Sequence, residues 1–472
     1  MSNTEYDIVI GLEVHAELNT DSKVFCSCKN EFGSEPNTNC CPVCIGMPGA
    51  LPILNKKAVQ YSIMAGLACN CEINDVAIFE RKNYFYPDLS KTYQISQLVK
   101  PISINGNIKL DSGKIIRINR IHLEEDAGKL IHDLNDTYID YNRGGVPLIE
   151  TVSEPDISSA DEAIEYLTKL RDRFIFAGVA KCKMEQGGMR CDVNLSVKPK
   201  NSNILGTRTE MKNLNSFKSV FRAIEFESKR QIDLIENGEK VIQETRKWDD
   251  NKGISLSMRS KEDSQDYRYF PDPDILTVEI SRDSVEEIRK HMPASKQQRK
   301  DKYINEYTLP EKDANILLSD KLIADYFEEC LTYVNNPREV ANWILTDVLK
   351  LNFTDIIPIS SKHLADIIKM LLEKKITRQN AKQLFETIIE EPCEPLELAK
   401  KLDMLSTITE NELDSLIENI IKENVQALND YNKTPDKIIQ FFTGQVMKQT
   451  KGKADAQKAR ELIVKHINNN LS

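Results

Sequence analysis

The chain has 472 residues, of which 40% are hydrophobic and 29% charged, and its formal net charge is −10 at pH 7. This length exceeds what one hydrophobic core organises, so about two to four domains are expected. The negative balance argues against nucleic-acid binding over the whole surface but allows a local basic patch. The sequence shows no leader pattern and no run of about 18 uncharged apolar residues, and its 11 cysteines do not suggest disulfides, which predicts a soluble cytoplasmic protein.

The first predicted element is a strand from Tyr6 to Leu18, because apolar residues alternate strictly with a second row of side chains. That second row holds Glu13, His15 and Glu17. Neighbours on one face of a strand lie about 6 to 7 Å apart, close enough to share a divalent cation. The pattern therefore predicts a metal-binding face, and a solvated strand face is the alternative.

Two close pairs of cysteines follow with the spacing C-x-C-x12-C-x2-C: Cys26, Cys28, Cys41 and Cys44. Four thiolates can close a tetrahedral site, which predicts a structural zinc ion. Cys40 competes with Cys41 for the third position, although the CPVC pairing favours Cys41. Buried free thiols and a site that has lost its metal are the alternatives, and buried free thiols are also the prediction for Cys69 and Cys71.

An acidic cluster forms the next candidate site. Two groups of carboxylates contribute, the second after a Gly-Gly turn: Glu124, Glu125 and Asp126, then Glu150, Glu154 and Asp156. Three consecutive acids beside an apolar strand repel one another unless a counter-charge is present. A magnesium ion shared with the first strand is predicted, and acids that simply face water are the alternative.

Two helices are predicted in this mixed part of the chain. One opens at Ser159, with Glu162 three places on in a capping-box arrangement, and ends before Gly178. The other runs from about Ser216 to Glu236 and stops at a glycine. The first is expected to cover one face of a sheet.

Between these helices, an alternating strand ending near Val197 and the short strand RTEMK are expected to form a hairpin. Its polar face carries both signs of charge: Arg190, Asp192, Arg208, Glu210 and Lys212. Further basic residues are Arg246, Arg259 and those of RKNYFYPD and DYRYFPD. Forked basic donors beside a magnesium site suggest phosphate binding, with solvated surface charge as the alternative. Neither a P-loop nor a G-x-G-x-x-G motif occurs, so any nucleotide site belongs to neither class.

The pattern becomes helical from about Leu276 onward. The predicted domains are 1–290, a helical domain at 291–406 and a tail at 407–472. Within the tail, Lys433 to His466 holds eight basic residues and three acids, a formal charge of +5.

The chain resembles the B subunit of the tRNA-dependent aspartyl/glutamyl-tRNA amidotransferases over nearly its whole length. The resemblance rests on motifs in order: GLEVHAEL, CPVCIGMPGALPILN, RKNYFYPDLSKTYQISQ, HLEEDAGK, PLIETVSEPDI, MRCDVNLS, KNLNSF, QETRKWD, DYRYFPDPD and GQVMKQTKGKA. It implies an α+β fold, in which a cradle-like N-terminal catalytic domain on an antiparallel sheet with flanking helices precedes all-α helical and tail domains.

The resemblance also implies a reaction. ATP phosphorylates the side-chain carboxylate of Glu-tRNA(Gln) or Asp-tRNA(Asn), and ammonia then displaces phosphate to give the amide. A glutaminase A subunit supplies the ammonia and is joined through a small C subunit, since this chain has no amidase signature. The tail is implied to bind tRNA. Zinc would be structural.

The resemblance assigns roles to the candidate residues. His15, Glu125 and Glu150 match metal-binding positions, with Glu13 and Glu124 as candidates for a second ion, and these five form the predicted catalytic set. Arg190, Asp192, Glu210 and Lys212 are the predicted ATP site. A tRNA-binding scaffold without phosphoryl transfer and a zinc-dependent nucleic-acid binder are the alternatives, and the sequence leaves open which misacylated tRNA is used.

Overall fold

The computed structural model describes residues 5–200, 202–260, 267–405, 410–428, 435–450, 454 and 456–471. The chain divides into two compact units, Met1–Lys296 and Gln297–Ser472. The first unit combines a large, mainly antiparallel sheet with helices, and the second is helical, which confirms the predicted α+β class. The finer division at 290/291 and 406/407 stays a prediction.

The strands belong to the first unit and are listed here in chain order: β1 (Tyr6–Glu17), β2 (Glu72–Ile73), β3 (Val76–Ala77), β4 (Glu80–Asn83), β5 (Tyr93–Ser96), β6 (Ser103–Lys109), β7 (Ile115–Glu125), β8 (Lys129–His132), β9 (Thr137–Asp140), β10 (Pro147–Ser153), β11 (Met189–Pro199), β12 (Thr209–Leu214), β13 (Glu244–Asp249), β14 (Ile254–Ser260), β15 (Phe270–Pro271) and β16 (Val278–Glu279). A nine-stranded sheet has the order β14-β13-β12-β11-β1-β10-β7-β6-β2. Its strands pair antiparallel except for β12 and β13.

The central position of β1 follows from its alternating sequence. The side chains of Ile10, Leu12, Val14 and Ala16 are at most 1% exposed and belong to the main hydrophobic core. The other row faces away from this core, as period two requires. The predicted strand is confirmed, and it ends at Glu17.

The helices of this unit are α1 (Lys56–Ala68), α2 (Ala160–Phe176), α3 (Phe217–Glu236) and α4 (Arg282–Lys290). The predicted cap of α2 is half confirmed, because the Ser159 hydroxyl accepts a hydrogen bond from the Glu162 N–H at 3.1 Å. The Glu162 carboxylate, however, accepts a hydrogen bond from the Ser158 N–H rather than from the Ser159 N–H. The second hydrogen bond of a capping box is therefore not formed. Both α2 and α3 bury apolar side chains in the core of the sheet, and the predicted hairpin of β11 and β12 is confirmed.

The remaining helices are α5 (Lys296–Asn305), α6 (Glu311–Leu317), α7 (Lys321–Tyr333), α8 (Pro337–Thr346), α9 (Ser361–Leu372), α10 (Arg378–Glu390), α11 (Pro395–Lys401), α12 (Glu410–Glu423), α13 (Val425–Leu428), α14 (Pro435–Gln449) and α15 (Ala456–Leu471). The last four include a hydrophobic cluster of their own, with Ile417, Phe442 and Ile463 fully buried. Among the described residues, no helix is long and apolar enough to cross a bilayer.

Candidate catalytic cavity and thiolate cluster

A cavity of about 700 Å³ lies over the polar face of the nine-stranded sheet. Five neighbouring strands, β12, β11, β1, β10 and β7, supply side chains to it. The predicted site residues that line the cavity are Glu13, His15, Glu124, Glu150, Arg190, Asp192, Glu210 and Lys212. The sheet thus gathers into one place polar side chains that are distant in sequence.

The centre of the cavity floor is a cluster of His15, Glu124 and Glu150. Strand register explains it, because His15 lies opposite Glu150, and Glu150 lies opposite His122 on β7, two residues before Glu124. The Nε2 atom of His15 is 3.3 Å from Glu124 Oε1 and 3.4 Å from Glu150 Oε2. One donor atom from each of the three residues lies within 4.8 Å of the other two. Two carboxylates and one imidazole beside an open cavity fit Mg²⁺ that keeps several waters.

Electrostatics couple these groups strongly. Burial disfavours the charged His15 ring, but hydrogen bonds to Glu124 and Glu150 outweigh burial and raise its pKa to about 10. Burial alone would raise the pKa of Glu124, yet hydrogen bonds from His122 and His15 lower it to about 2. The pKa of Glu150 is lowered in the same way, against burial, by His122 and His15. Both carboxylates are therefore ionised at neutral pH, and a metal ion bound to His15 would displace a proton.

Sequence reasoning missed His122, which belongs to this cluster. Its ring is 3% exposed, and its Nε2 atom is 3.3 Å from Glu150 Oε2 and 3.7 Å from Glu124 Oε2. Its Nδ1 atom is buried and has no hydrogen-bond partner among the described residues. The signal was available, because His122 precedes Glu124 by two residues and so shares its face of β7.

Glu125, a member of the predicted metal set, lies apart from its other members. Its carboxylate points to the opposite face of β7 from Glu124, because successive strand residues alternate. There it accepts hydrogen bonds from Lys91 Nζ at 2.5 and 2.6 Å and from the Ile95 N–H at 2.9 Å. The structure therefore does not bring Glu125 together with His15 and Glu150, and Glu124 takes its place in that group.

A second group of carboxylates lies beside the first, formed by Glu13, Asp192 and Glu210. Their donor atoms also lie within 4.8 Å of one another, because Glu13 pairs with Asp192 across β1 and β11. Lys212 Nζ lies 2.5 Å from Asp192 and 2.9 Å from Glu210. Burial, followed by the charges of Glu150 and Glu210, raises the pKa of Glu13. Three acids balanced by one lysine leave room for a second cation.

Arg190, the fourth predicted ATP-site residue, lies at the neighbouring edge of the cavity. Its Nη2 atom is 2.5 Å from Asp126 Oδ2, and Arg143 Nε is 3.6 Å from the same oxygen. Burial, followed by the Asp126 charge, raises the pKa of Glu17 to about 7. Asp126 and Glu17 thus lie with Arg190 rather than with the metal clusters.

Aromatic side chains from the two motifs RKNYFYPD and DYRYFPD line one wall. Tyr84 and Tyr267 are in edge contact, with ring centroids 5.8 Å apart, and Tyr269 lies 6.2 Å from Tyr267. Lys82 Nζ is 4.8 Å from the Tyr267 ring centroid. The Asn83 N–H donates to the Tyr267 carbonyl at 2.9 Å, which fixes this wall to β4.

The other predicted charged residues lie in different surroundings. Arg208 lines the cavity, whereas Arg246 forms ion pairs with two glutamates outside the clusters. Glu154 and Asp156 bond to exposed side chains of β7. The side chain of Arg259 lies outside the described residues.

The thiol groups of Cys26, Cys28, Cys41 and Cys44 lie within 4.8 Å of one another. The Cys41 N–H points to Cys44 Sγ at 3.1 Å, whereas Cys40 Sγ contacts Asn142 Oδ1 at 3.7 Å, so Cys41 and not Cys40 joins the cluster. Four sulfur donors with no open position fit structural zinc. Cys69 and Cys71 are buried in the main core, as predicted for packed thiols.

Two family models match the chain: the GatB/GatE catalytic domain over residues 8–286 and the GatB domain over residues 325–467. The chain is 50% identical to the B subunit of the aspartyl/glutamyl-tRNA(Asn/Gln) amidotransferase of Caldicellulosiruptor bescii, covering 97% of this chain and 98% of the relative. The proteins of the same name from Lachnoclostridium phytofermentans and Thermoanaerobacter pseudethanolicus are 48% and 46% identical. Those two alignments cover 97% and 98% of this chain and 98% and 99% of the relatives.

Proposed function

Because the chain belongs to the GatB/GatE family of tRNA-dependent amidotransferase B subunits, we propose that it phosphorylates the side-chain carboxylate of Glu-tRNA(Gln) or Asp-tRNA(Asn) and converts it to the amide. The observation that supports this proposal is that two neighbouring groups of residues on one cavity floor have the donor atoms to hold a cation each. A protein that only presented tRNA to a partner would not need them.

The chemistry requires activation of the carboxylate, because oxide is too poor a leaving group for ammonia to displace. In the first step, a carboxylate oxygen attacks the γ-phosphorus of ATP and ADP leaves, which gives an acyl phosphate. In the second step, the nitrogen of ammonia attacks the acyl carbon, phosphate leaves with the bonding electrons, and the nitrogen loses a proton. The products are the amide, ADP and inorganic phosphate.

Two sets of residues would hold magnesium ions: His15, Glu124 and Glu150 for one, and Glu13, Asp192 and Glu210 for the other. Mg²⁺ held there would neutralise negative charge on the phosphoryl oxygens. His122 keeps the Glu150 carboxylate in place through its Nε2 atom, as partners of metal ligands commonly do.

The basic side chains supply the remaining positive charge. Lys212 lies between two carboxylates at the cavity floor, within reach of a phosphate that enters there. Arg190 offers a forked donor group that matches phosphate oxygens in geometry. The tyrosine wall limits access of water to the acyl phosphate. The four cysteines hold zinc for structural reasons and take no part in these steps.

Ammonia has to come from elsewhere, because the chain has no amidase signature. The names of the relatives describe them as B subunits, and we propose a complex with a glutaminase A subunit and a small C subunit. The tail binds the tRNA through its basic stretch, residues 433–466. The complex acts in the cytoplasm, where tRNA is aminoacylated.

The test combines the purified three-subunit complex with misacylated tRNA, ATP, Mg²⁺ and glutamine, and measures amide formation. A second reaction replaces glutamine with ammonium, which bypasses the glutaminase. We expect ATP-dependent amide in both reactions. Binding of misacylated tRNA without ADP formation would instead support a scaffold and contradict the proposal.

A further inference from the structure

The loop between the two cysteine pairs is hydrogen-bonded to residues 139–146, here called the bridging segment. Asn142 Oδ1 accepts from the Asn39 N–H at 2.8 Å, and Asn142 Nδ2 donates to a carbonyl of the same loop at 2.7 Å. The Tyr141 N–H donates to Asn37 Oδ1 at 2.8 Å. Because hydrogen bonds are directional, these side-chain to backbone bonds hold the two loops together at defined positions.

Lys23 joins the same two parts from inside the fold. It is 0% exposed, and its Nζ atom donates to the Tyr141 carbonyl at 3.1 Å. A Cβ placed on Gly145 would lie 3.6 Å from Lys23 Cδ and 3.7 Å from Cys44 Cβ, so the three residues pack together. Among the described residues, the Lys23 ammonium bonds to the Tyr141 carbonyl and forms no ion pair with a carboxylate. A buried ammonium needs a negative partner, and a zinc tetrathiolate carries net negative charge.

The bridging segment also reaches the catalytic cavity. Arg143 lines the cavity and donates to two backbone carbonyls at 3.0 and 2.7 Å. The Gly145 N–H donates to the Asp126 carbonyl, and the Asp126 N–H donates to the Val146 carbonyl, both at 2.9 Å. Asp126 in turn bonds Arg190. A displacement of the segment would therefore move the partner of Arg190.

We propose that the cysteine cluster positions one edge of the catalytic cavity. With Lys23 as its counter-charge, the cluster holds the bridging segment, and the segment fixes Arg143 and Asp126 beside Arg190. This inference rests on the proposed function only in treating Arg190 as part of the ATP site. The simpler possibility is that zinc stabilises only its own loop. In that case, removal of zinc would change nothing beyond residues 26–44.

The first experiment measures hydrogen exchange of the assembled enzyme with zinc bound and after treatment with a zinc-selective chelator, both in excess Mg²⁺. We expect exchange of the Asp126 and Gly145 amides to become about tenfold faster, the change that loss of one ordinary hydrogen bond produces. Peptides of β13 and β14 serve as the internal control. Faster exchange confined to residues 26–44 would overturn the proposal.

The second experiment keeps all four cysteines. Asn142→Ala should retain zinc, speed exchange at Asp126 and Gly145, and weaken Mg-ATP binding about tenfold, the effect of one lost hydrogen bond. Asn74→Ala is the matched control, because Asn74 Nδ2 ties a different loop of the same unit to a carbonyl at 2.7 Å. Equal exchange and ATP affinity in the two variants would contradict the coupling.

A third variant tests the counter-charge. Lys23→Met keeps the aliphatic stem but removes the ammonium, and should release zinc to a chelator about tenfold faster, as expected when a partner of metal ligands is lost. Lys29→Met, an exposed lysine beside the same cysteines, should release zinc at the wild-type rate. Wild-type zinc release from Lys23→Met would exclude this role. Measurements of hydrogen exchange and of zinc release do not depend on amide formation. They therefore test this proposal even if the proposed function is wrong.

Discussion

Two adjacent glutamates at the end of β7 have opposite environments. Glu124 faces His15 and Glu150 across the cavity floor, whereas Glu125 accepts a hydrogen bond from Lys91 on the other face. The two carboxyl groups are chemically identical, so their surroundings alone decide which one is suited to hold a metal ion. Substitution of single glutamates therefore distinguishes a metal ligand from a residue that only forms a structural ion pair.

Glu150→Gln tests the ligand group. The amide keeps the shape but removes a charged oxygen, so Mg²⁺ affinity and ammonium-dependent amide formation should fall by at least about 100-fold. Titration with Mg²⁺ and single-turnover assays with ammonium measure the two quantities. Glu154→Gln is the control, because that carboxylate bonds to Asn119 outside the clusters. Turnover close to wild type in Glu150→Gln would exclude this residue as a ligand.

Glu125→Gln should behave differently. Mg²⁺ affinity should stay near the wild-type value, because the side chain faces away from the metal groups. Stability should fall by about 3 kcal/mol, since Lys91 loses its charged partner in a largely buried pair. Thermal unfolding and Mg²⁺ titration test both statements, with Lys91→Met as a second variant that breaks the same pair. Loss of Mg²⁺ binding as severe as in Glu150→Gln would restore Glu125 as a ligand.

At the scale of elements, α3 is tied to the sheet by a buried polar network. Glu227 is 0% exposed and accepts hydrogen bonds from Arg230 at 2.6 and 2.8 Å and from Thr209 at 2.9 Å. Gln231 donates to the same carboxylate at 3.0 Å. The network fixes how α3 packs on β12, the strand that carries Glu210 into the cavity.

Glu227→Gln should therefore destabilise the first unit by about 3 kcal/mol at neutral pH, because Arg230 and Arg246 lose a charged partner. Burial alone would raise the pKa of Glu227, but Arg230 and Gln231 lower it below its ordinary 4.5. A lowered pKa stabilises the fold above the ordinary value, and this contribution is lost as pH falls through the lowered pKa. The difference between variant and wild type in denaturant titrations should shrink in acid. A difference that is independent of pH would contradict the charged role of Glu227.

At the scale of the whole molecule, the basic stretch from Lys433 to His466 is the part of the tail that we expect to bind tRNA. Of its eight basic residues, five belong to the described part of the chain: Lys437, Lys448, Lys458, Arg460 and Lys465. The other three, and Thr407 where the tail is predicted to begin, lie outside the described residues. The helices from α12 onward bury a hydrophobic cluster among themselves.

Deletion from Thr407 should weaken tRNA binding and flatten its salt dependence. Each phosphate contact that is lost should reduce the slope of log affinity against log salt by just under about one unit. The cavity should still bind Mg²⁺ and ATP, because its residues all belong to the first unit. The measurement is the tRNA affinity of full-length and truncated complexes across a series of salt concentrations. Equal slopes and affinities would mean that the positive charge of residues 433–466 is only solvated surface.

The sequence by itself determined much of the local structure. The strict alternation of apolar residues with a second row of side chains located β1 in the sequence. It also separated the buried row from Glu13 and His15, since the period of two is a property of the strand alone. Cysteine spacing identified the thiolate cluster, because ligands close in sequence need little tertiary information to converge. The same alternation places His122 on the face of Glu124 and Glu125 on the opposite face, whereas Glu125 was predicted as a ligand from the resemblance to known relatives.

Only the tertiary structure decided which faces meet. His15 and Glu150 are 135 residues apart in the sequence, and they become opposite neighbours because β1 pairs with β10. Pairing on its other side with β11 brings Asp192 to Glu13, so one strand organises both carboxylate groups. Which strands become neighbours depends on burial and hydrogen bonding summed over the whole sheet, and no single segment carries that information.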